Sequence, residues 1–261
     1  MSGPFHFLPN CGRAPCVLVF IWLLAVSHAN AALLAYEPFD YLAGEPIVGQ
    51  NNGLGFDAPW QPGGFHAKFF LGFRMQPGAL SYPGLATHGS NHLSGEAPPA
   101  GVAAIASVGR LLSTNLAVSG AKYYLSFLHR PDSKDGYSVI VLGSGQGEEL
   151  AIGKPGSGQN LYYMTHRGGQ GRVHSTVNPV VGKTAFIVVK MEFSDASDRF
   201  TLFINPTPGK PEPSDGVVKE DLHLELADKL FLYSRGDWSV DEIRLGTTWQ
   251  DVTPAAGIPA R

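Results

Sequence analysis

Cysteine is almost absent from this chain, and so are an excess of charge of one sign and a hydrophobic run of membrane-spanning length. Of the 261 residues only Cys11 and Cys16 are cysteines. Because both lie near the start, the sequence excludes a disulfide framework, a zinc–thiolate site or a cysteine nucleophile in the rest of the chain. Charged residues make up 16% and the formal net charge is -3. That charge offers no basic surface to a phosphate backbone, so no nucleic-acid partner is expected.

The first 31 residues have the pattern of a secretory signal. Arg13 precedes an apolar run over 16–26, which at about 1.5 Å per residue spans roughly half of a hydrocarbon core. Small residues follow, and we place the cleavage after Ala31, with Ala29 as the alternative site. The competing interpretation is an uncleaved anchor or a buried strand. We therefore expect a secreted or periplasmic protein that has no membrane contact once the signal is removed.

The rest of the chain alternates between short apolar runs and turns, although hydrophobic residues reach 44%. Regular short strands separated by Gly, Pro, Asn and Asp are typical of a sandwich or barrel. The sequence predicts one all-β domain over 32–250, a flexible tail over 251–261, and mostly long loops over 46–101. About twelve strands are expected, at 33–39, 67–73, 104–112, 122–129, 137–142, 149–152, 161–166, 185–193, 199–205, 221–226, 229–234 and 239–245.

Three late strands have the clearest period-two pattern. In the strand over 185–193, one face holds only apolar side chains and the other mixes apolar with charged ones; the strands over 199–205 and 229–234 repeat this division. The apolar faces must pack against a second sheet, because they cannot remain together in water. The mixed faces are either a sugar-stacking surface exposed to solvent or a second, partly covered core layer.

Several segments resemble the concanavalin A-like lectin/glucanase superfamily, in particular laminin-G-like jelly rolls of exported bacterial proteins. They are AYEPFDY at 35–41, NNGLGF at 51–56 with Trp60 after it, KYYLSFLHR at 122–130 and WSVDEIRLGTTW at 238–249. The resemblance implies a two-sheet antiparallel β-sandwich, a jelly roll in which the first and last strands are neighbours.

That neighbourhood would bring four carboxylates together. Glu37 and Asp40 belong to the first strand region, and Asp241 and Glu242 to the last. Carboxylates gathered at such a junction can hold calcium, which takes six to eight oxygen ligands. The alternative is that these groups are solvated strand ends or turn caps.

Laminarinase-like members of the superfamily carry Glu-x-Asp-x-x-Glu on one strand, and this chain has no such motif. The nearest pattern places Asp221, His223 and Glu225 on one face of a strand. Asp221 and Glu225 start about 13 Å apart, beyond the roughly 5–9.5 Å that paired glycosidase carboxylates need. A charged edge strand is the simpler interpretation of this segment.

We therefore hypothesise a secreted, non-catalytic carbohydrate-binding or recognition module. Two alternatives stay open: a diverged polysaccharide hydrolase or lyase, and a structural cell-surface protein. The enzyme alternative requires Glu192, Asp221, Glu225 or His166 to converge in one cleft. A polysaccharide or glycan ligand would be held by six candidates from the mixed faces and their surroundings: Tyr162, His166, Arg199, Phe203, Tyr233 and Arg235.

Overall fold

The computed structural model of the protein describes residues 33–63, 72–95, 106–156 and 160–257. The signal segment over 1–31 therefore lies outside the described residues, as do most of the expected strand at 67–73 and the start of the one at 104–112. The single helix in the described ranges is four residues long, and none there is long and apolar enough to cross a membrane.

Fifteen strands and one short helix make up the described chain. The strands are Leu33–Glu37 (β1), Gln61–Pro62 (β2), Phe73–Pro77 (β3), Asn91–Gly95 (β4), Ala106–Leu111 (β5), Lys122–Pro131 (β6), Ser138–Gly143 (β7), Leu150–Lys154 (β8), Tyr163–His166 (β9), Val173–His174 (β10), Ala185–Glu192 (β11), Asp198–Ile204 (β12), Val217–Leu222 (β13), Lys229–Ser234 (β14) and Trp238–Gly246 (β15), and the helix is Trp249–Val252 (α1).

Two antiparallel sheets are formed, and the predicted β-sandwich is confirmed. One sheet has the order β13-β12-β11-β6-β15-β4-β3, with β1 also paired to β15; the other has the order β10-β9-β8-β7-β14-β5-β2. The first and last strands are neighbours, with Glu37 opposite Ile243. Strand β13 lies at the edge of the eight-stranded sheet, as its charged sequence predicts.

The main core lies between the sheets and consists of the apolar faces that the alternation predicts. Strand β11 contributes Ile187, Val189 and Met191, each fully buried, and β14 contributes Leu230 and Leu232 from the opposite sheet. Burying a side chain of this size stabilises the fold by about 1.5–3 kcal/mol, so these alternating rows fix which face of each strand turns inward.

The outer face of the eight-stranded sheet is a second buried layer. Phe186, Val188 and Phe203 pack there with Trp249 and Val252 of the terminal helix. The ring centroids of Phe203 and Trp249 are 5.2 Å apart, in a T-shaped arrangement. Of the two interpretations of the mixed faces, the covered core layer is therefore the one that applies to this sheet.

The packed chain continues past residue 250, where the sequence pattern places the start of a flexible tail. The amide N–H of Ala86 donates to the carbonyl of Pro254, at 2.9 Å, and Ala255 forms a bridge with Leu85. Most described residues of 46–101 lie outside strands, as expected, although β2, β3 and β4 fall within this range. These short strands carry weak patterns of their own and form by pairing with neighbouring strands.

Candidate functional site

A cleft of about 590 Å³ opens on the outer face of the seven-stranded sheet. Its floor and walls come from strands β7, β8, β9 and β14 and from the turns that follow β7, β8 and β9. The lining residues are Tyr137, Val139, Val141, Gly147, Ala151, Pro155, Gly156, Tyr163, Thr165, Arg167, Gly168, Gly169, Arg172 and Tyr233. A volume of this size is within the range of small-molecule and sugar sites.

Strand register explains why a depression forms here. Tyr233 is opposite Val139, Val139 is opposite Gly153, and Gly153 is opposite Tyr163. Small side chains therefore lie between two tyrosines that are three strand spacings apart, or about 14 Å. The tyrosines form the walls, while Val139 and Gly153 leave the floor low.

Arginines lie beside the tyrosines of the cleft. The Arg167 guanidinium is 5.2 Å from the centroid of the Tyr233 ring, and it also forms an ion pair with the buried carboxylate of Glu149. Burial raises the pKa of Tyr233 and of Tyr163, and it is opposed by the charge of Arg167 at the first and of Arg172 at the second. Burial also raises the pKa of Tyr137 to about 12. The phenols of Tyr137, Tyr163 and Tyr233 are therefore neutral hydrogen-bonding groups near pH 7.

A cluster of two carboxylates and a histidine lies where the edges of the two sheets meet. His166 Nδ1 is 3.7 Å from Glu148 Oε1, and His166 Nε2 is 3.6 Å from Asp221 Oδ2. The buried ammonium of Lys219 donates to Asp221 Oδ1, at 2.5 Å. Desolvation acts to raise the pKa of Asp221, but the hydrogen bond and the charge of Lys219 outweigh it and leave that pKa lowered. Asp221 is accordingly an ionised, half-exposed carboxylate beside an imidazole.

Chain neighbours of this cluster line the cleft, although His166 itself lies on the opposite face of β9 from Thr165, the face that Met164 turns to the core. Glu148 follows Gly147, and His166 precedes Arg167, each of which lines the cleft. The turn between β9 and β10 separates the two features. A Cβ placed on Gly171 would lie only 2.7 Å from Lys219 Nζ and 3.0 Å from His166 Cδ2, so only glycine fits between the turn and the cluster.

The six predicted ligand residues do not form one site. Tyr233 lines the cleft, and His166 belongs to the adjoining cluster. Tyr162 is buried in the main core beside His129, and Phe203 is buried under Trp249. Arg199 lies on the other sheet, where it forms ion pairs with Glu192 and Glu220.

Arg235, the sixth candidate, is exposed in the turn after β14. Its backbone N–H donates to the Tyr137 carbonyl, at 2.9 Å, and its charge lowers the pKa of the Tyr137 phenol against the larger effect of burial. Arg235 is therefore close to the rim of the cleft.

The four carboxylates considered for calcium belong to separate groups. Glu37 is buried and accepts hydrogen bonds from Trp60 Nε1, at 2.9 Å, and from Tyr41 Oη, at 2.8 Å. Arg110 Nη1 lies 2.5 Å from the same carboxylate and forms an ion pair with it. Asp40 is exposed and accepts from Ser90 Oγ, at 3.0 Å.

Asp241 and Glu242 occur at an irregularity in β15. Asp241 accepts from the Leu80 N–H, at 2.9 Å, and Glu242 accepts from the Tyr36 hydroxyl, at 2.8 Å. Arg244 forms an ion pair with Glu242. No group of three or more His, Cys, Asp or Glu among the described residues could hold a metal ion.

The two other acidic candidates lie away from the cleft. Glu192 forms an ion pair with Lys190, at 3.1 Å. Glu225 lines a smaller cavity of about 210 Å³ together with Asp198 and His223. Both oxygens of Asp198 accept backbone N–H groups there, from Ser194 and Leu224, so this carboxylate organises turns. Of the four residues whose convergence the enzyme alternative requires, Asp221 and His166 do converge.

Several functional groups of the site are not found by sequence reasoning. Tyr137 and Tyr163 are in predicted strands, but neither belongs to a clean alternation. Arg167 and Arg172 stand in a glycine-rich turn that carries no pattern. His166 lies beside Glu148 and also beside Asp221 of the other sheet. This cluster forms only because the edges of the two sheets lie next to each other, so the sequence gives no signal for it.

The fold is similar to those of solved carbohydrate-active proteins. An endo-1,3-β-glucanase from Streptomyces sioyaensis superposes with a TM-score of 0.52 and 10% identity, covering 84% of this chain and 96% of that one. A glycosyl hydrolase family protein from Mycobacterium fortuitum gives 0.47 and 14%, covering 82% and 99%. Domain 4 of a GH43 extracellular arabinanase from Geobacillus stearothermophilus, in complex with arabinotriose, gives 0.46 and 14%, covering 85% and 97%. No family model matches this chain, and no curated protein matches it.

The superposition on the endo-1,3-β-glucanase confirms the predicted jelly-roll fold. The first functional hypothesis, a non-catalytic carbohydrate-binding module, needs correction, because the protein that superposes with a TM-score of 0.52 is described as an endo-1,3-β-glucanase. That hypothesis depended on the missing Glu-x-Asp-x-x-Glu motif. Such a motif shows carboxylates on a single strand and gives no signal when they come from different strands.

Proposed function

We propose that this protein is a diverged polysaccharide hydrolase that acts after export directed by residues 1–31. The sugar chain occupies the cleft on the seven-stranded sheet. The Glu148–His166–Asp221 cluster at the neighbouring sheet edge performs the chemistry. The observation that carries this proposal is the convergence of two carboxyl groups on one imidazole at an exposed sheet edge, in segments whose next residues line a cleft of suitable size.

Hydrolysis of a glycosidic bond requires one group that donates a proton and one that accepts a proton. Asp221 is the acceptor, because Lys219 keeps its carboxylate ionised. It takes a proton from water as the water oxygen bonds to the anomeric carbon. The acid role falls to Glu148, whose protonated carboxylic acid form gives its proton to the glycosidic oxygen as the bond from that oxygen to the anomeric carbon breaks, and His166 keeps the two carboxyl groups apart.

The half-exposed position of this cluster suits a polymeric substrate. The side chains of Glu148 and Asp221 are 49% and 56% exposed, so a long chain can reach them from solvent. His166 is only 18% exposed and is held between them. The least exposed member, His166, thus sets the geometry, and the two exposed carboxyl groups can contact a sugar.

Release of reducing ends from a panel of β-1,3-glucan, arabinan and polygalacturonate tests this proposal. We expect Glu148→Gln and Asp221→Asn each to lower the rate by roughly 10²–10⁴-fold, the contribution of a positioned acid or base. The Asp221→Asn side chain keeps an amide oxygen that can accept from Lys219, so this variant should still fold. Glu225→Gln is the matched control and should retain wild-type activity.

Two results would contradict the proposal. One is the absence of new reducing ends with every polymer of the panel. The other is full activity in both Glu148→Gln and Asp221→Asn while their melting temperatures match the wild type.

A further inference from the structure

The cleft presents cationic groups to solvent rather than bare aromatic faces. Tyr233 and Tyr163 line it, yet they are only 4% and 6% exposed. The Arg167 guanidinium lies over the Tyr233 ring, and the Tyr163 ring stacks on His174 with centroids 6.1 Å apart. A sugar entering the cleft therefore finds little free ring surface to stack on.

The charged side chains that line this cleft, within the described residues, are arginines. Arg167 and Arg172 line the cleft, and Arg235 is beside its rim. No Asp or Glu is among the lining residues within the described ranges. The carboxylate beside Arg167, that of Glu149, is fully buried: Oε1 accepts from the Gly145 N–H at 2.7 Å, and Oε2 pairs with Arg167.

Arg172 is the arginine that is most available to a ligand. It is exposed, and no ion pair to it occurs among the residues the structure describes. Its position is set by the tight turn after β9, where Gly168 and Gly169 have φ values of +98° and +92°. Such values favour glycine, so the local sequence fixes this turn and directs Arg172 to the cleft.

From this charge distribution we propose that the substrate is an anionic polysaccharide whose sugar units carry carboxylate groups. The inference rests on the proposed function and names the substrate class of the same cleft. Guanidinium groups bind carboxylates through paired, charge-assisted hydrogen bonds. The neutral phenols of Tyr137 and Tyr163 supply hydrogen bonds to sugar hydroxyls, and a carboxylate on the sugar would pair with the exposed guanidinium of Arg172.

Binding of two matched polymers tests this inference directly. Polygalacturonate and its fully methyl-esterified form share one backbone and differ in charge. We expect the inactive Asp221→Asn variant to bind polygalacturonate at least 10-fold more tightly than the ester in isothermal titration at low salt. The preference should decrease as the salt concentration rises, because salt screens exposed charges.

A pair of arginine variants locates the effect. Arg172→Gln should weaken polygalacturonate binding about 10-fold and leave binding of the ester unchanged. Arg199→Gln removes an exposed arginine from the other sheet and should change neither. Equal affinity for the two polymers, or wild-type affinity in Arg172→Gln, overturns the inference.

These results separate the inference from the proposed function. Charge-selective binding without release of reducing ends from any polymer would contradict the hydrolase function and support the anionic ligand class. Hydrolysis of a neutral glucan, with equal binding of the acid and its ester, would support the hydrolase function and contradict the anionic substrate class.

Discussion

His129 shows how a single buried side chain links stability to pH. It is completely buried between the sheets, with Nε2 2.8 Å from Ser138 Oγ and Nδ1 3.3 Å from Tyr162 Oη. Burial lowers its pKa to about 3, and the charge of Lys154 acts in the same direction. The folded protein keeps this ring neutral, whereas the unfolded chain protonates it near pH 6.5. His129 therefore makes the fold less stable as the pH falls from about 6.5 to about 3.

Replacing His129 should flatten this part of the pH dependence. At pH 7.5 we expect His129→Gln to cost about 1–3 kcal/mol, through lost hydrogen bonds and packing. Below pH 6.5 the deficit should shrink by up to ~1.4 kcal/mol per pH unit, because only the wild type is penalised there. Urea unfolding between pH 4.5 and 7.5 measures the difference. His88→Gln, at an exposed ring, is the control; a constant deficit across this range would contradict the argument.

At the scale of single residues the sequence predicts some of the site. Tyr233 is found because β14 alternates cleanly, and Asp221 and His166 are found as titratable groups in strands. Tyr162 is misplaced, because a phenol beside a turn gives no sign of whether it faces the core or solvent. Phe203 is misplaced because its cover, Trp249, comes from a segment assigned in part to a tail.

Among the elements, the terminal helix α1 has the largest unexpected role. Thr248 caps it: the Asp251 N–H donates to Thr248 Oγ1 at 3.3 Å, and the Thr248 N–H donates to Asp251 Oδ2 at 2.7 Å. Trp249 Nε1 donates to the Lys210 carbonyl, at 2.8 Å. A capped turn this short can persist only because Trp249 and Val252 are buried.

Two substitutions separate the cap from the packing. Trp249→Ala should cost about 3–5 kcal/mol, because it leaves a cavity over the eight-stranded sheet. Thr248→Ala should cost only about 1 kcal/mol, the usual value of an N-cap. Chemical denaturation of both variants gives the comparison. Equal small losses would show that the segment adds little to the fold, as a flexible tail would.

The strand bounds also show where the apolar alternation of the sequence predicts a strand and where it does not. Strands β11 and β12 follow their predicted positions closely, since both alternate over seven or more residues. Strand β13 lies at 217–222 rather than at the predicted 221–226. Leu222 and Leu224 both reach the core, but only Leu222 belongs to the strand. The apolar alternation therefore continues past the last paired residue and misplaces the predicted strand. Within 91–95 only Leu93 is a large apolar residue, so this segment has almost no strand pattern of its own. It forms β4 by pairing with β3 on one side and with β15 on the other.

For the molecule as a whole, the sandwich depends on strands that come late in the sequence. Strand β15 lies between β6 on one side and β4 and β1 on the other, and β14 lies between β7 and β5. We expect a chain that ends at residue 237 to show no cooperative thermal transition, because both the pairing with β6 and the Trp238–Val240 part of the core are lost. Circular dichroism during heating measures this. A sharp transition in the shortened chain would contradict it.

The central position of β15 also constrains how the protein is made. A ribosome releases β1, β4 and β6 well before it releases their common partner, so a nascent chain carries open strand edges until β15 has emerged. Such edges invite pairing with other chains. The eight-stranded sheet is therefore completed only after β15 has emerged, and any factor that shields the early strands during synthesis should raise the yield of folded protein.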